Sequence, residues 1–234
     1  MRNIKRERVV APAAAPPLDS SKPGSPVVAK FVHHVWMMDV TEFKTLFGAR
    51  TLYFAAAFDA FSRVPLAGMT SEAKPSGASM ARLFRGTVAR FGRPRYVVTD
   101  LGGEFIADVF KRAVKDLGTR QRFASADNIR ATARLERFWK TLKEIARVRL
   151  VPPLNLADLE GRLGRALAYY AIHRPHTSLG NRTPLQAFLA AATAAPLRSL
   201  PRGRKGEAGP PVPLCIDVAE PGFPELGLLT PLAT

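Results

Sequence analysis

Apolar side chains run almost unbroken through residues 34–43, the pattern of a strand covered on both faces. TLYFAAAFD at 51–59 and RVPLAGMT at 63–70 predict two further strands, parted by the hairpin-length break AFS. A helix is expected over 76–91. There Met80, Leu83, Phe84, Val88 and Phe91 recur at helical spacing, Ser76 can cap the start and Gly92 stops the end. Tyr96–Thr99 reads as a short buried strand. Ile106, Phe110, Val114 and Leu117 form one stripe of a helix over 106–117, and Thr119–Phe123 is a fifth strand. Two more helices follow, over 132–149 and over 155–172, the second capped by Asn155. Three meandering strands and then a strand–helix–strand unit predict an α/β fold: a five-stranded mixed sheet with helices on both faces.

Outside this patterned region the composition changes. Residues 1–30 contain APAAAPPLDSSKPGSP, too rich in proline and small residues to order themselves, and read as a basic, Pro-rich disordered tail. Residues 198–234, with PRGRKGEAGPPVPL, read as a linker and tail whose apolar ending could add one edge strand. The folded core is therefore expected over 31–197. The single cysteine, Cys215, excludes an internal disulfide and a cysteine-only zinc cluster. No apolar run approaches the roughly 20 residues of a membrane span, and no signal-peptide apolar region follows the basic start. The expected location is cytoplasmic, nucleoid-associated when DNA is bound, with no membrane partner. Against 19 acidic residues stand 35 lysines and arginines, a net charge of +16. Such a surface attracts polyanions, chiefly nucleic acid, although arginine enrichment by GC-rich coding would leave the same excess.

Candidate chemistry lies in three acids. Asp39 falls inside VHHVWMMDV, and burying a carboxylate there requires a partner or a metal. Asp100 closes YVVTD 61 positions on, where a strand gives way to the turn LGGEF. Glu136 follows 36 positions later, on a predicted helix whose apolar stripe is Leu135, Phe138, Leu142 and Ile145. Lys140, Lys143 and Arg147 share the Glu136 face at i+4, i+7 and i+11. Three carboxylates on two strand ends and a helix suit a pair of Mg²⁺ or Mn²⁺ ions about 3.5–4 Å apart, with the cations holding the phosphates of the strand being cut. The alternative is structural: the aspartates cap or pair with arginines, and Glu136 pairs with Lys140. Arg93 and Arg95, flanking Pro94, are further candidate phosphate contacts. His173 and His176 have H-x-x-H spacing without a partner to complete a zinc site, so loop packing is expected. His33 and His34 are expected in solvent, Trp36 and Trp139 in the core or at a partner contact. Glu104, four after Asp100, could assist a metal site or accept a bond from an arginine, and the arginine is expected.

These segments resemble the integrase catalytic core of insertion-sequence transposases and retroviral integrases, the DDE group, over about 34–190. WMMDV with Thr41 and Glu42 is similar to the first-aspartate strand. AAFDAFSRVPLAG, with Asp59, Ser62 and Arg63, is similar to a D-x-x-S-R segment. FGRPRYVVTDLGGEF surrounds the second aspartate, LERFWKTLKE matches the glutamate helix, and HRPHTSLGNRTPLQAF matches the closing segment. The resemblance implies a ribonuclease-H-like fold, a divalent metal and DNA cleavage followed by strand transfer. Water would nick a transposon end, and the freed 3′-hydroxyl would attack target DNA. Asp39, Asp100 and Glu136 would be the catalytic and metal-holding residues. Transposon ends and target duplex would be the partners, with a homo-oligomer on DNA. Leu101 stands where the family commonly has a polar amide, and Ile129 where it commonly has glycine. Such transposases usually carry a helix-turn-helix reader before the core, so a truncated copy or one half of a split system is expected. An inactive DNA-binding remnant, or a nuclease or junction resolvase of the same fold, are the competing readings.

Overall fold

The structure is a computed structural model and describes residues 28–45, 48, 50–124 and 129–194, with only the backbone of 129–134 and 192–194. Residues 1–27 of the expected first tail, the whole of the expected tail over 198–234, and residues 195–197 of the expected core lie outside the described residues. Five strands form one sheet: β1 (Val35–Lys44), β2 (Thr51–Asp59), β3 (Pro65–Ser71), β4 (Tyr96–Thr99) and β5 (Arg120–Phe123). Their spatial order is β3-β2-β1-β4-β5. The β1–β2 and β2–β3 pairs are antiparallel, while β1–β4 and β4–β5 are parallel. This is the mixed sheet that the chain order predicts.

Side-chain alternation assigns each face of β1. Val35 and Met37 point into one core with Phe54, Phe58, Val98 and the helices α4 (Ile129–Ile145) and α5 (Leu156–Ile172). Trp36 and Met38 point into the other core, with α1 (Gly77–Phe91), α3 (Asp108–Asp116) and the short α2 (Gly103–Ile106). All four β1 side chains are at most 2% exposed, so this strand is covered on both faces. Helix α1 starts and stops where its sequence says. The Ser76 side chain accepts from Ser79 N, and Gly92 ends the helix at φ 82°.

Three expectations change. The helix expected over 106–117 is two helices, broken at Ala107, whose φ −59° and ψ 137° are extended. The break turns Ile106 out of the stripe, and it is 43% exposed. The helix expected over 132–149 runs from Ile129 to Ile145, and Arg147 lies beyond it in a left-handed conformation at φ 54°. A third late helix, α6 (Pro184–Ala194), was not anticipated. Its start is a reciprocal cap: Thr183 N donates to Gln186 Oε1, and Gln186 N donates to Thr183 Oγ1. Among the described residues no helix is long and apolar enough to cross a membrane.

Candidate active site

Strand register brings the two aspartates together. In the β1–β4 pair Met37 stands beside Val98, and two further residues along each chain lead to Asp39 and Asp100. Both continue the face that α4 and α5 cover. Opposite Asp39 on β2 is Ala56, buried in the same core as Trp139. Its methyl group leaves room for the Trp139 indole, and Trp139 Nε1 donates to Asp39 Oδ2 at 2.7 Å. Val40 N donates to Oδ1 at 2.8 Å. Burial nevertheless pushes the Asp39 carboxyl up to about 6, with the charges of Asp100 and Glu104 adding to the rise. Trp139, expected in the core or at a partner contact, is thus the partner of the first aspartate.

Asp100 is exposed at the end of β4, and its Oδ1 accepts from Gly102 N at 3.0 Å. Glu104, on α2, is 7% exposed. A Cβ on Gly102 would lie 3.0 Å from both Asp100 Oδ1 and Glu104 Oε1, so the two carboxylates crowd over one glycine. Glu104 pairs with Lys74 Nζ at 3.2 Å, a lysine where an arginine was expected. Glu136 is exposed on α4, one turn before Trp139. Among the described residues no group of three or more His, Cys, Asp or Glu side chains is close enough to hold a metal ion. Asp39, Asp100 and Glu104 share an electrostatic neighbourhood. The donor chemistry fits a divalent cation. Two adjacent aspartates, one of them held above its ordinary range by burial and by like charge, carry an excess that a cation relieves.

The cations expected to hold DNA divide. Lys140 is exposed on α4. Lys143 is half-buried, with Nζ 5.1 Å from the centre of the Phe43 ring, and burial lowers its pKa. Arg147 leaves the shared face because α4 ends at Ile145. Arg93 is exposed, its guanidinium over Gly118. Arg95 is 8% exposed with its guanidinium 5.5 Å from the Tyr96 ring centre, so in this structure it is packing and not surface.

The remaining motif residues serve the scaffold. Asp59 is fully buried and accepts from the backbone of His33, Phe61 and Ser62 and from Ser62 Oγ. It ties the β2–β3 turn to the chain entering β1. Both histidines expected in solvent are packed. His34 is 7% exposed, and His33 Nδ1 accepts from Trp36 Nε1 at 3.1 Å. Burial lowers His33 to about 4. His176 contacts Arg63 and Tyr170, which places it in loop packing as expected.

Residues 31–128 match the family model of the integrase core domain. Among solved structures, a chain of the simian T-cell lymphotropic virus intasome aligns with TM-score 0.60 and 19% identity, over 81% of this chain and 65% of that one. The chain thus spans about two thirds of that relative's length. The magnesium-bound catalytic core domain of HTLV-2 integrase aligns at 0.54 and 17% identity, over 69% of this chain and 99% of that one. The BIV integrase catalytic core domain aligns at 0.52 and 19%, over 68% and 95%. No curated protein matches the chain. Its sheet and flanking helices are those of integrase catalytic cores, a ribonuclease-H-like fold, and the chain carries an integrase core domain at residues 31–128.

Proposed function

We propose that this chain is a DDE polynucleotidyl transferase of the transposase and integrase kind, cutting DNA and joining the freed end to a target duplex. The carrying observation is the convergence of Asp39, inside β1, with Asp100, just past the end of the parallel neighbour β4, and Asp39 is raised to about 6. Asp39 and Asp100 would hold Mg²⁺ or Mn²⁺, two ions in the full site, and Glu136 would complete it from α4. Bound there, the ions would supply charge neutralisation and Lewis acidity at the scissile phosphate. The chain's own part is positional. Trp139 fixes the Asp39 carboxylate, and the buried sheet fixes the middle of β1 and the end of β4 that carry the two aspartates. Lys140, exposed one turn beyond Glu136, would meet the phosphate of the incoming strand. The magnesium in the HTLV-2 structure supports a divalent ion in this fold. The intasome and the dimeric and trimeric HTLV-2 cores support a homo-oligomer on DNA.

Single-turnover nicking and strand transfer on duplex DNA in Mn²⁺ test this reading. Asp39→Asn, Asp100→Asn and Glu136→Gln should each abolish both reactions while DNA affinity persists, because residues acting as a unit fail together. Near-normal activity in one variant removes that residue from the site. DNA binding without nicking by the unaltered chain would favour an inactive remnant, and cleavage confined to RNA–DNA hybrids or four-way junctions a nuclease or resolvase. Affinity should fall steeply with salt, the slope of log K against log salt steepening by about 0.9 per phosphate neutralised.

A further inference from the structure

A second site lies on the α4–α5 face, two residues along β1 from Asp39. A cavity of about 70 Å³ opens there, floored by Met37, Phe58 and Phe138. Its polar wall comes from Arg63 in the β2–β3 turn, Arg137 on α4, and Arg174 and His176 just beyond α5. Among the described residues no carboxylate lines it. Among the described residues neither Arg137 nor Arg174 has an acidic partner. A guanidinium can only donate, so the Arg63 Nη1 contact of 3.4 Å makes His176 Nδ1 the acceptor. The ring's proton is then on Nε2, a buried atom without a hydrogen-bond partner among the described residues. The cavity therefore presents donors from the Arg137 and Arg174 guanidiniums and one imidazole N–H, plus the Thr141 hydroxyl, with Arg63 engaged by His176 at its wall. Arg63 is held in the left-handed region at φ 66°, with its N–H bonded to Asp59 O at 2.7 Å. That is a strained backbone of the kind the surrounding structure must enforce.

We infer that Arg63, Arg137, Arg174 and His176 form a phosphate-binding pocket, separate from the carboxylates. Tetrahedral phosphate oxygens bring the negative charge that no lining side chain supplies and paired acceptors in the forked geometry that guanidiniums favour. The volume exceeds twice the roughly 30 Å³ of a water molecule, enough to admit a small oxyanion head. The phosphate belongs either to a DNA strand or to a free anion, and the pocket does not depend on the cleavage chemistry proposed above. Burial and the charges of Arg63 and Arg174 lower His176 to about 4, and the same two arginines act on the buried Tyr170. An anion bound among them would counter that lowering.

The test is nuclear magnetic resonance of the full chain with ¹⁵N-labelled histidine. Inorganic phosphate, a 5′-phosphorylated oligonucleotide and chloride are titrated separately. Phosphate-bearing ligand should move the His176 ring signals saturably and raise its titration midpoint by about one unit or more. Arg174→Gln and the surface-exposed Arg137→Gln should each weaken that response by about tenfold or more, as loss of a charge-assisted hydrogen bond implies. Saturation by inorganic phosphate identifies a free-anion site. Saturation by the oligonucleotide alone identifies a strand phosphate. A response that chloride equals, or that both arginine variants retain, overturns the proposal, and a folded Arg137→Gln keeps the comparison open if Arg174→Gln does not fold.

Discussion

Trp139 reaches across from α4 to donate its indole N–H to Asp39 at 2.7 Å, linking the helix that carries Glu136 to the strand that carries the first aspartate. The bond sets the rotation of the carboxylate and fixes α4 against the sheet. Trp139→Phe keeps an aromatic ring beside Phe54 and removes the donor together with part of the indole. On the proposed function, Mn²⁺ affinity and nicking should fall about 10–100-fold, the usual cost of losing a group that orients a metal ligand. Calorimetric Mn²⁺ titration of wild type and variant decides it. Equal affinities would show that Asp39 is oriented by the backbone alone.

The lysines on α4 should differ from each other. Lys140→Ala should raise the DNA concentration needed for activity and leave melting unchanged. Lys143→Ala gives up its place over Phe43 and should lose about 0.5–1 kcal/mol of stability as well. Leu142, fully buried, should cost about 2–5 kcal/mol as Leu142→Ala. Thermal melts and nicking assays on all three variants separate these outcomes. Should Leu142→Ala melt normally but lose DNA binding, α4 presents a different face to the sheet.

Acid should weaken the fold through His33. Its pKa is lowered to about 4 by burial, below the ordinary 6.5 of an unfolded chain. Between those values the unfolded state binds the extra proton, so stability is full above pH 6.5 and is lost as pH falls towards 4. The loss is on the order of 3 kcal/mol. Urea unfolding at steps from pH 7 to pH 4 should show it, and His33→Asn should flatten it. Asparagine suits the left-handed backbone at φ 63°. An unchanged slope in that variant would assign the acid sensitivity to another group, His176 first.

Gly77 opens α1 where it passes the broken helix. A Cβ there would lie 2.5 Å from Ala107 Cβ and 3.2 Å from Glu104 O, atoms that cannot swing aside. Gly77→Ala should therefore destabilise by about 1–3 kcal/mol despite alanine's better helix propensity. Denaturant unfolding measures this directly, and a neutral or stabilising result would mean that α1 and the α2–α3 break separate easily.

Strand periodicity was legible because β1, β2 and β4 are buried on both faces and leave near-continuous apolar runs. The caps at Ser76 and Asn155 were legible because each is a local bond between residues three apart. The break at Ala107 was not, since the stripe through Ile106 and Phe110 suits an unbroken helix and only the approach of Gly77 shows the crowding at the break. Helix α6 did announce itself. Thr183, Pro184 and Gln186 are a capping box with proline at the first helical position, read only as part of a longer motif. The Asp39–Trp139 bond spans 100 residues of sequence, and nothing in the local pattern of either segment encodes it. The role of Arg63 and His176 was hidden in the same way, because their cavity exists only once the β2–β3 turn and the end of α5 are brought together.

The last strand of the sheet, β5, has one hydrogen-bonded neighbour among the described residues and reads Arg-Gln-Arg-Phe. Two copies aligning β5 to β5 would set Arg120 and Arg122 against their counterparts at strand spacing, where like charges directly opposite are destabilising. An open edge is the usual seed of runaway strand addition, and basic side chains are a standard defence. On that side the sheet is self-limiting, and a crowded solution of this protein has to grow, if at all, through another surface.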